Sequence, residues 1–536
     1  MTSPETLFYV DSHSCDQMHE VLIGYFQTRS HLVFGSKGLE QYRTQRPGHL
    51  APEDGAFVVA LDRGAKWEIT TDVTGQELLY LYRASGFWAI SNSLYCLATE
   101  VRRKGCKLTP RMSSLSAFAT KDGNHWAAQP FSLRTIFNEI TLLPSTASVK
   151  VNRATRSLSV ESRSLFEVLE GFEDVSYEDL IAEFVNSAVA EVRGLGAVPG
   201  LGMRCQLSGG YDSRITYGLF LAANLPADSY VVESSKGKWS DFSVAQGLAA
   251  QFGQQLNAAG AGSGATADAD EVYELWKMGS FGSYLPIYTV KHMSPRFSIK
   301  ARGDLWTSTK FYKGSSCDVV RRVEKELGGA RGAAVAQDFW DGMADIGLDA
   351  HGESSMVMHY SAFRSRFHCG RRWYKNLGHQ VLYGPLVSRH LGAAAVKASR
   401  RGWDERRLSM DLLSALGNGL AAFRFDQEGK NFRASELRES PFYGGIQVAS
   451  GEKKVYWGAG SGQESGRRGG GLSEAGMRER LLDEYKDVMD AVKRSKVLPE
   501  NVFERAAVEK KDGGSLSHGA RMITLVLFAA FALGIE

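Results

Sequence analysis

One short string, Ser208-Gly209-Gly210-Tyr211-Asp212-Ser213, dictates more of this chain's architecture than any other stretch. Residues 203–207 before it read as a strand, residues 215–223 after it as an apolar helix, and residues 229–233 as a second strand. Strand, Gly-containing turn, helix and strand make the βαβ unit of a parallel sheet. A turn of this kind that binds phosphate needs small residues, so that backbone N–H groups can approach the anion. It also gains from the positive end of the helix dipole. Gly209 and Gly210 remove side-chain bulk, while Ser208 and Ser213 supply hydroxyl donors. Asp212 would repel phosphates unless a cation sat between them, which is an argument for Mg²⁺. The pattern GxxxxGK followed by Ser or Thr is absent here. A second Gly-rich string, Gly260-Ala261-Gly262-Ser263-Gly264-Ala265, has no convincing strand before it and reads as an Ala/Gly-rich loop.

Upstream the chain has a different character. Residues 7–10, 56–61, 77–81, 87–91 and 148–151 are β-branched or aromatic runs set apart by Gly, Asp, Asn or Ser, which reads as β-rich. From residue 175 the period changes. Leu180, Ile181, Phe184, Val185, Ala188 and Val192 recur at helical spacing, and Ser176 with Asp179 forms an N-cap. This places a domain boundary near residue 173, giving domains over 1–172 and 173–536. Further helices are expected over residues 240–252, 319–327 and 472–493. Residues 458–471 are Gly-rich and read as a loop able to close over a substrate.

Bulk properties exclude several classes. The 536 residues leave room for more than one domain at roughly 150 residues each. With 63 basic and 60 acidic residues the net charge is only +3, so no nucleic-acid partner is expected. Lys397, Arg400, Arg401, Arg406 and Arg407 read as a solvated helix face. Six scattered cysteines make neither a disulfide framework nor a zinc site. The N-terminus shows no secretory pattern. Residues 522–535 are apolar but fall short of the roughly 20 needed to span a bilayer, and read as a buried terminal helix. The expectation is a cytoplasmic protein without a membrane partner.

The string Ser208–Ser213 resembles the SGGxDS signature of the pyrophosphatase-type ATP-binding loop, in which ATP is split between its α and β phosphates. Most of the chain resembles the asparagine synthetase-like proteins, nearer their β-lactam synthetase and macrocyclase branches. Thr135-Ile136-Phe137-Asn138-Glu139-Ile140 with Leu143-Pro144, Leu79-Tyr80, and Phe87-Trp88-Ala89-Ile90-Ser91-Asn92 carry the N-terminal part of that likeness. Trp239-Ser240-Asp241 with Ala245, Ala249 and Phe252-Gly253 carry the part after the loop. The resemblance implies an α+β N-terminal domain like the Ntn hydrolases. Behind it would lie an α/β domain with a parallel sheet, Rossmann-like and of the adenine-nucleotide alpha hydrolase type. It implies ATP and Mg²⁺ as cofactors, with Leu207, Ser208, Gly209, Gly210, Asp212, Ser213, Val232 and Gly303 about the nucleotide.

Two departures stand out. Family members that hydrolyse glutamine carry a cysteine after Met1, where this chain has Thr2, so the resemblance implies a degenerate glutaminase-like domain. The family's Gly- and acid-rich segment has its best counterpart in Ile299-Lys300-Ala301-Arg302-Gly303-Asp304, followed by Tyr312-Lys313-Gly314. Asp304 is the candidate second metal ligand beside Asp212, but Arg302 replaces a small or acidic residue. A lysine is needed where charge grows on the α-phosphate and the acyl carbon. Lys454, spaced before Gly460-Ser461-Gly462 as in the β-lactam synthetase branch, is the first candidate and Lys430 the second. Arg364, Arg366, His368, Arg371 and Arg372 form a cationic cluster ahead of Tyr383-Gly384-Pro385-Leu386. That cluster could hold an anion or line a solvated helix, and His368 is a candidate general base.

The expected activity is adenylation of a small-molecule or peptide carboxylate, followed by amide formation with ammonia or a substrate amine. Closure within one molecule would give a lactam or macrolactam. A catalytically silent scaffold is the rival from another class, and association as a homodimer stays open. A tRNA-modifying role is disfavoured by the near-neutral charge and the unpaired cysteines.

Overall fold

The computed structural model describes residues 7–121, 126–257, 269–288, 298–303, 315–348, 355–370, 380–457, 474–512 and 516–535. Thr2, Asp304, Arg371, Arg372 and the Gly-rich stretches 260–265 and 458–471 lie outside the described residues. Among the described residues the fold is a mixed α/β one with three sheets, one of them parallel throughout.

Ten described strands precede the long helix that begins at Tyr177. They are β1 (Tyr9–Asp11), β2 (Val21–Gln27), β3 (His31–Phe34), β4 (Asp54–Asp62) and β5 (Lys66–Thr71). After these come β6 (Tyr80–Ala84), β7 (Phe87–Ser91), β8 (Ile140–Leu142), β9 (Ser148–Asn152) and β10 (Leu158–Glu161). Four more, β11 (Gly202–Gln206), β12 (Tyr230–Glu233), β13 (Ser298–Ala301) and β14 (Gln380–Tyr383), build the parallel sheet, and β15 (Lys454–Trp457) follows late. A four-stranded sheet runs β1-β7-β6-β8, and a seven-stranded sheet runs β10-β9-β5-β4-β2-β3-β15. Alternating residues of both sheets, among them Val10, Ile23, Val58, Ile69, Leu81, Ile90 and Val149, share one dry apolar layer. β15 joins the second sheet parallel to β3, pairing Lys454 with His31 and Trp457 with Phe34.

The helix Tyr177–Gly196 forms as its periodicity predicts. Ser176 Oγ accepts from Asp179 N at 2.9 Å and donates to the Asp179 carboxylate at 2.7 Å, closing the first turn. Its buried face carries one charge, Glu191, only 3 % exposed. That carboxylate accepts from Tyr383 Oη at 2.6 Å and from Ser187 Oγ at 3.3 Å, and it pairs with Lys453 Nζ at 3.1 Å. Lys453 also donates to Gln27 of β2. Gly194 lets the returning chain lie flat on the helix, because a Cβ there would strike the Lys453 carbonyl.

The apolar run near the C-terminus is the helix Arg521–Leu533, buried along almost its whole length. Phe528 meets Phe118 and Phe281 with ring centroids 5.9 and 5.0 Å apart, so the helix closes a core shared with the N-terminal half. Among the described residues no helix is long and apolar enough to cross a membrane.

His359 sits fully buried in the same core, donating from Nε2 to Phe131 O at 2.8 Å, with the Phe363 ring 4.7 Å away. Burial pushes its pKa down to about 4, against the Phe131 hydrogen bond. An unfolded histidine takes up its proton near pH 6.5, while this one resists until about pH 4, so stability is lost as pH falls through that window. Between pH 7 and pH 5 the loss from this group should approach about 2 kcal/mol. His359→Gln should flatten that part of the profile in thermal melts, and an unchanged pH slope would contradict the buried neutral ring.

Candidate functional site

The loop at 207–210 connects β11 to the helix Tyr211–Ala223, as the sequence predicts. Sheet order is β12-β11-β13-β14, so the chain leaves β11 towards β12 while β13 pairs on the opposite side. That reversal opens a crevice beyond the carboxyl ends of the strands, where open α/β sheets take their ligands. A cleft of about 430 Å³ occupies this place. Leu207, Ser208 and Ser213 line it from the loop and the helix start, Glu233 and Ser235 from the end of β12 and just after it, Lys300 from β13, and Arg302 and Gly303 from the residues that follow β13. Lys238, Asp241 and Asn257 add to its charged and polar wall.

The loop is held by its own hydroxyls. Ser208 Oγ and Ser213 Oγ are 2.8 Å apart, and Ser208 N donates to Ser213 Oγ at 3.0 Å. Two glycines are dictated by close approach. A Cβ on Gly303 would stand 2.5 Å from the Asp212 carbonyl carbon, so the end of β13 lies directly on the helix start. A Cβ on Gly209 would stand 2.9 Å from Asp241 Oδ1 and collide with Asp426. Arg302 N donates to Tyr383 O at 3.0 Å, and its carbonyl accepts from Thr216 Oγ1 at 3.4 Å. Gly303 is thereby fixed between β14 and the helix. Asp212 lies half-buried in the first turn of that helix, at its acidic N-terminal end.

Arg214, one residue past the motif, is fully buried. Its guanidinium donates to the carbonyls of Leu420, Phe423 and Arg424 at 3.1, 2.6 and 2.7 Å, and stacks 3.5 Å from the Phe425 ring centroid. Burial pushes its pKa down to about 9, with Asp426 and Tyr211 working the other way, so it stays charged at neutral pH. This clamp brings the segment after Leu420 against the loop. Asp426 N donates to Gly209 O at 3.3 Å, and Tyr211 Oη donates to Lys430 O at 2.8 Å. Lys430 Nζ lies 2.7 Å from Asp426 Oδ1, and Lys238 Nζ lies 3.0 Å from Asp241 Oδ2. Burial works to raise the Asp426 carboxyl. The hydrogen bond and charge of Lys430, with Asp241 and Lys238, outweigh it and hold the group below the usual carboxylate range.

Several residues that the sequence singles out lie elsewhere, each for a tertiary reason. Lys454 is an exposed residue of β15, at the edge of the N-terminal sheet, with Nζ 2.8 Å from Gln45 Oε1. Its strand-forming neighbours Val455, Tyr456 and Trp457 carry it there, not to the cleft. His368 shares a 2.7 Å hydrogen bond with Tyr284 Oη and does not line the cleft. Val232 is fully buried in the core of the parallel sheet. Arg364 and Arg366 line no solvated helix: both are buried, on Gln129 Oε1 at 2.9 Å and Leu143 O at 3.0 Å, and burial pushes Arg366 down to about 10. The basic stretch 397–407 is partly exposed, but it is also ion-paired, Arg406 to Glu436 at 2.8 Å and Arg407 to Asp411 at 3.0 Å.

Residues to which sequence reasoning gave no role include Glu233, Lys238, Lys300 and Asp426. The signal was present in part, since Glu233 is a charge at the carboxyl end of the strand Tyr230–Glu233. Among the described residues no group of three or more acidic, histidine or cysteine side chains could hold a metal. A nucleotide-borne Mg²⁺ needs only one or two carboxylates, with phosphates and water completing its shell. Asp241, on the cleft wall beside Gly209, meets that requirement.

No protein-family profile and no curated protein matches the chain. Among solved structures it is similar to an enzyme described as the allosteric regulatory enzyme of purine biosynthesis. The identity is 10 % over 58 % of this chain and 58 % of that one, with a TM-score of 0.15. It is also similar to glutamine phosphoribosylpyrophosphate amidotransferase from B. subtilis complexed with ADP and GMP, at 11 % identity over 66 % of this chain and 72 % of that one, TM-score 0.14. The chain thus spans little more than half the length of the first. Likenesses of this size assign neither fold nor activity, and the site stands on its own geometry.

Gly303→Ala tests that geometry. The added methyl meets helix backbone rather than a movable side chain, so it should cost roughly 1–3 kcal/mol of stability. Displacement of the loop should also raise amide hydrogen exchange over residues 208–213. Unchanged melting and unchanged exchange together would show that the two backbones are not in contact.

Proposed function

We propose that the chain is an ATP-dependent, AMP-forming ligase that joins a carboxylate to an amine. The supporting observation is the placement of the Ser208–Ser213 loop at the sheet's reversal point, where Gly303 and Gly209 let the end of β13 and Asp426 pack closely against it, beside a cation-bearing cleft. The reading includes an Ntn-hydrolase-like N-terminal domain and a Rossmann-like synthetase domain, as the sequence resemblance implies. Loop N–H groups and the Ser208 and Ser213 hydroxyls would hold the β- and γ-phosphates at the helix N-terminus. Mg²⁺, held through Asp241 and Asp212, would offset phosphate charge when bound.

A substrate carboxylate oxygen attacks the α-phosphorus, the bond to the β-phosphate bridging oxygen breaks, and pyrophosphate leaves. An amine nitrogen then attacks the acyl carbon, the carbon–oxygen bond to AMP breaks, and the nitrogen loses a proton. Lys430 is better placed than Lys454 to stabilise the charge that grows in these steps, because Tyr211 and Asp426 fix it to the loop. Lys238 and Arg302 stand on the cleft wall as further donors to anionic oxygen.

Two experiments test this. Incubation with ATP, Mg²⁺ and a panel of carboxylates, with ammonia, glutamine or an amine as nitrogen source, should release AMP and pyrophosphate in step with amide detected by mass spectrometry. Formation of ADP and phosphate would overturn the mechanism. Lys430→Ala should lower kcat by about 100-fold or more, as loss of a donor to a developing oxyanion does, while Lys454→Ala leaves kcat unchanged. The opposite result would return the role to Lys454.

A further inference from the structure

Glu233 and Lys300 line the cleft, and both lie against Arg204 in the parallel sheet. Arg204 of β11 and Lys300 of β13 are direct cross-strand partners, an arrangement of like charges that destabilises a sheet unless it is bridged. Glu233, at the carboxyl end of β12, is the bridge. One of its oxygens takes the Arg204 guanidinium, and the other lies 3.0 Å from Lys300 Nζ. The three side chains are 16 to 24 % exposed, so the carboxylate is gripped from both sides but still faces the cleft. Each carboxylate oxygen can accept more than one hydrogen bond, which leaves Glu233 able to receive donors from a ligand.

The backbone next to Glu233 is not similarly open. Asn257 Oδ1 accepts from Ser234 N at 2.9 Å, Asn257 Nδ2 donates to Ser234 O at 3.1 Å, and Asn257 N donates to Val232 O at 2.8 Å. The Asn257 carboxamide therefore occupies the main-chain groups of Ser234 that a ligand could otherwise read. What remains at this end of the cleft is a fixed anion 20 residues after Ser213, the last residue of the phosphate-type loop, on the neighbouring strand. A vicinal diol, with two adjacent O–H donors, is complementary to such a carboxylate. The ribose of a nucleotide whose phosphates sit at the helix start carries that diol towards the second strand of a βαβ unit.

We propose that Glu233, held in place by Arg204 and Lys300, determines sugar specificity by accepting from the 2′- and 3′-hydroxyls of the bound nucleotide. This rests on the ligase reading for the presence of ATP, and it adds a residue and a selectivity that the loop does not supply. It also explains why the sheet keeps two like charges opposite each other: they hold the acceptor rigid.

The test is equilibrium binding of Mg²⁺-ATP, Mg²⁺-2′-deoxy-ATP and Mg²⁺-3′-deoxy-ATP to the full chain. The unmodified protein should bind each deoxy nucleotide roughly tenfold or more weakly than ATP, the size expected for losing a hydrogen bond to a charged group. Glu233→Gln should bring the three affinities together. Equal binding of all three by the unmodified protein overturns the proposal and leaves the ligase reading intact, whereas no binding of ATP at all overturns both. A uniform loss across the three nucleotides in Glu233→Gln, with the ratio preserved, would show that Glu233 only braces the sheet. If that variant does not fold, Glu233→Asp, which keeps the charge but shortens its reach, should narrow the same ratios, and ratios unchanged in it would overturn the assignment to Glu233.

Discussion

The Glu191 carboxylate is the point on which the two halves of this molecule depend. A buried carboxylate costs several kcal/mol unless its lone pairs are met, and removing one partner of such a pair typically costs about 3–5 kcal/mol. Here every partner comes from a different place. Ser187 belongs to the same helix, Tyr383 to the last strand of the parallel sheet, and Lys453 to the chain returning towards the N-terminal sheet. Through Lys453 the network reaches Gln27 of β2, so one small polar cluster fixes the long helix against both sheets. The apolar layers around it could slide; the hydrogen-bond geometry at Glu191 cannot.

From that anchor the site follows by contact. With β14 held through Tyr383, the Arg302 N–H finds the Tyr383 carbonyl, and Gly303 is set on the start of the helix Tyr211–Ala223. On the other flank Arg214 draws three carbonyls inward and brings Asp426 and Lys430 to Gly209. The loop is therefore a rigid edge gripped from two directions, and its serine hydroxyls are paired before any ligand arrives. A preorganised arrangement of this sort loses little ordering entropy on binding.

What could be read from the sequence was what short-range pattern controls. The βαβ unit about residue 208, the capped helix from Tyr177 and the buried helix Arg521–Leu533 follow from periodicity, glycine placement and an N-cap serine. What could not be read depends on distant partners. Nothing local in Lys454, Val455, Tyr456 and Trp457 says that they pair with β3, more than 400 residues earlier. Arg364 and Arg366 look solvated because charge in a sequence carries no sign of burial, yet their acceptors are Gln129 and the Leu143 carbonyl. Asp426 reaches the site through the segment that Arg214 clamps, and the arginine directly after the motif was the available hint.

The return of late segments into the early part of the chain shapes how the protein can be made. β15 supplies an edge of the seven-stranded sheet, and the helix Arg521–Leu533 fills a core that otherwise includes Leu97, Leu115 and Phe118. A nascent chain emerging from the ribosome would carry the first ten strands for a long interval with a bare sheet edge and an open apolar face. Such high contact order slows folding and favours association in the meantime. Synthesis would therefore benefit from a holding chaperone until the helix Arg521–Leu533 has emerged.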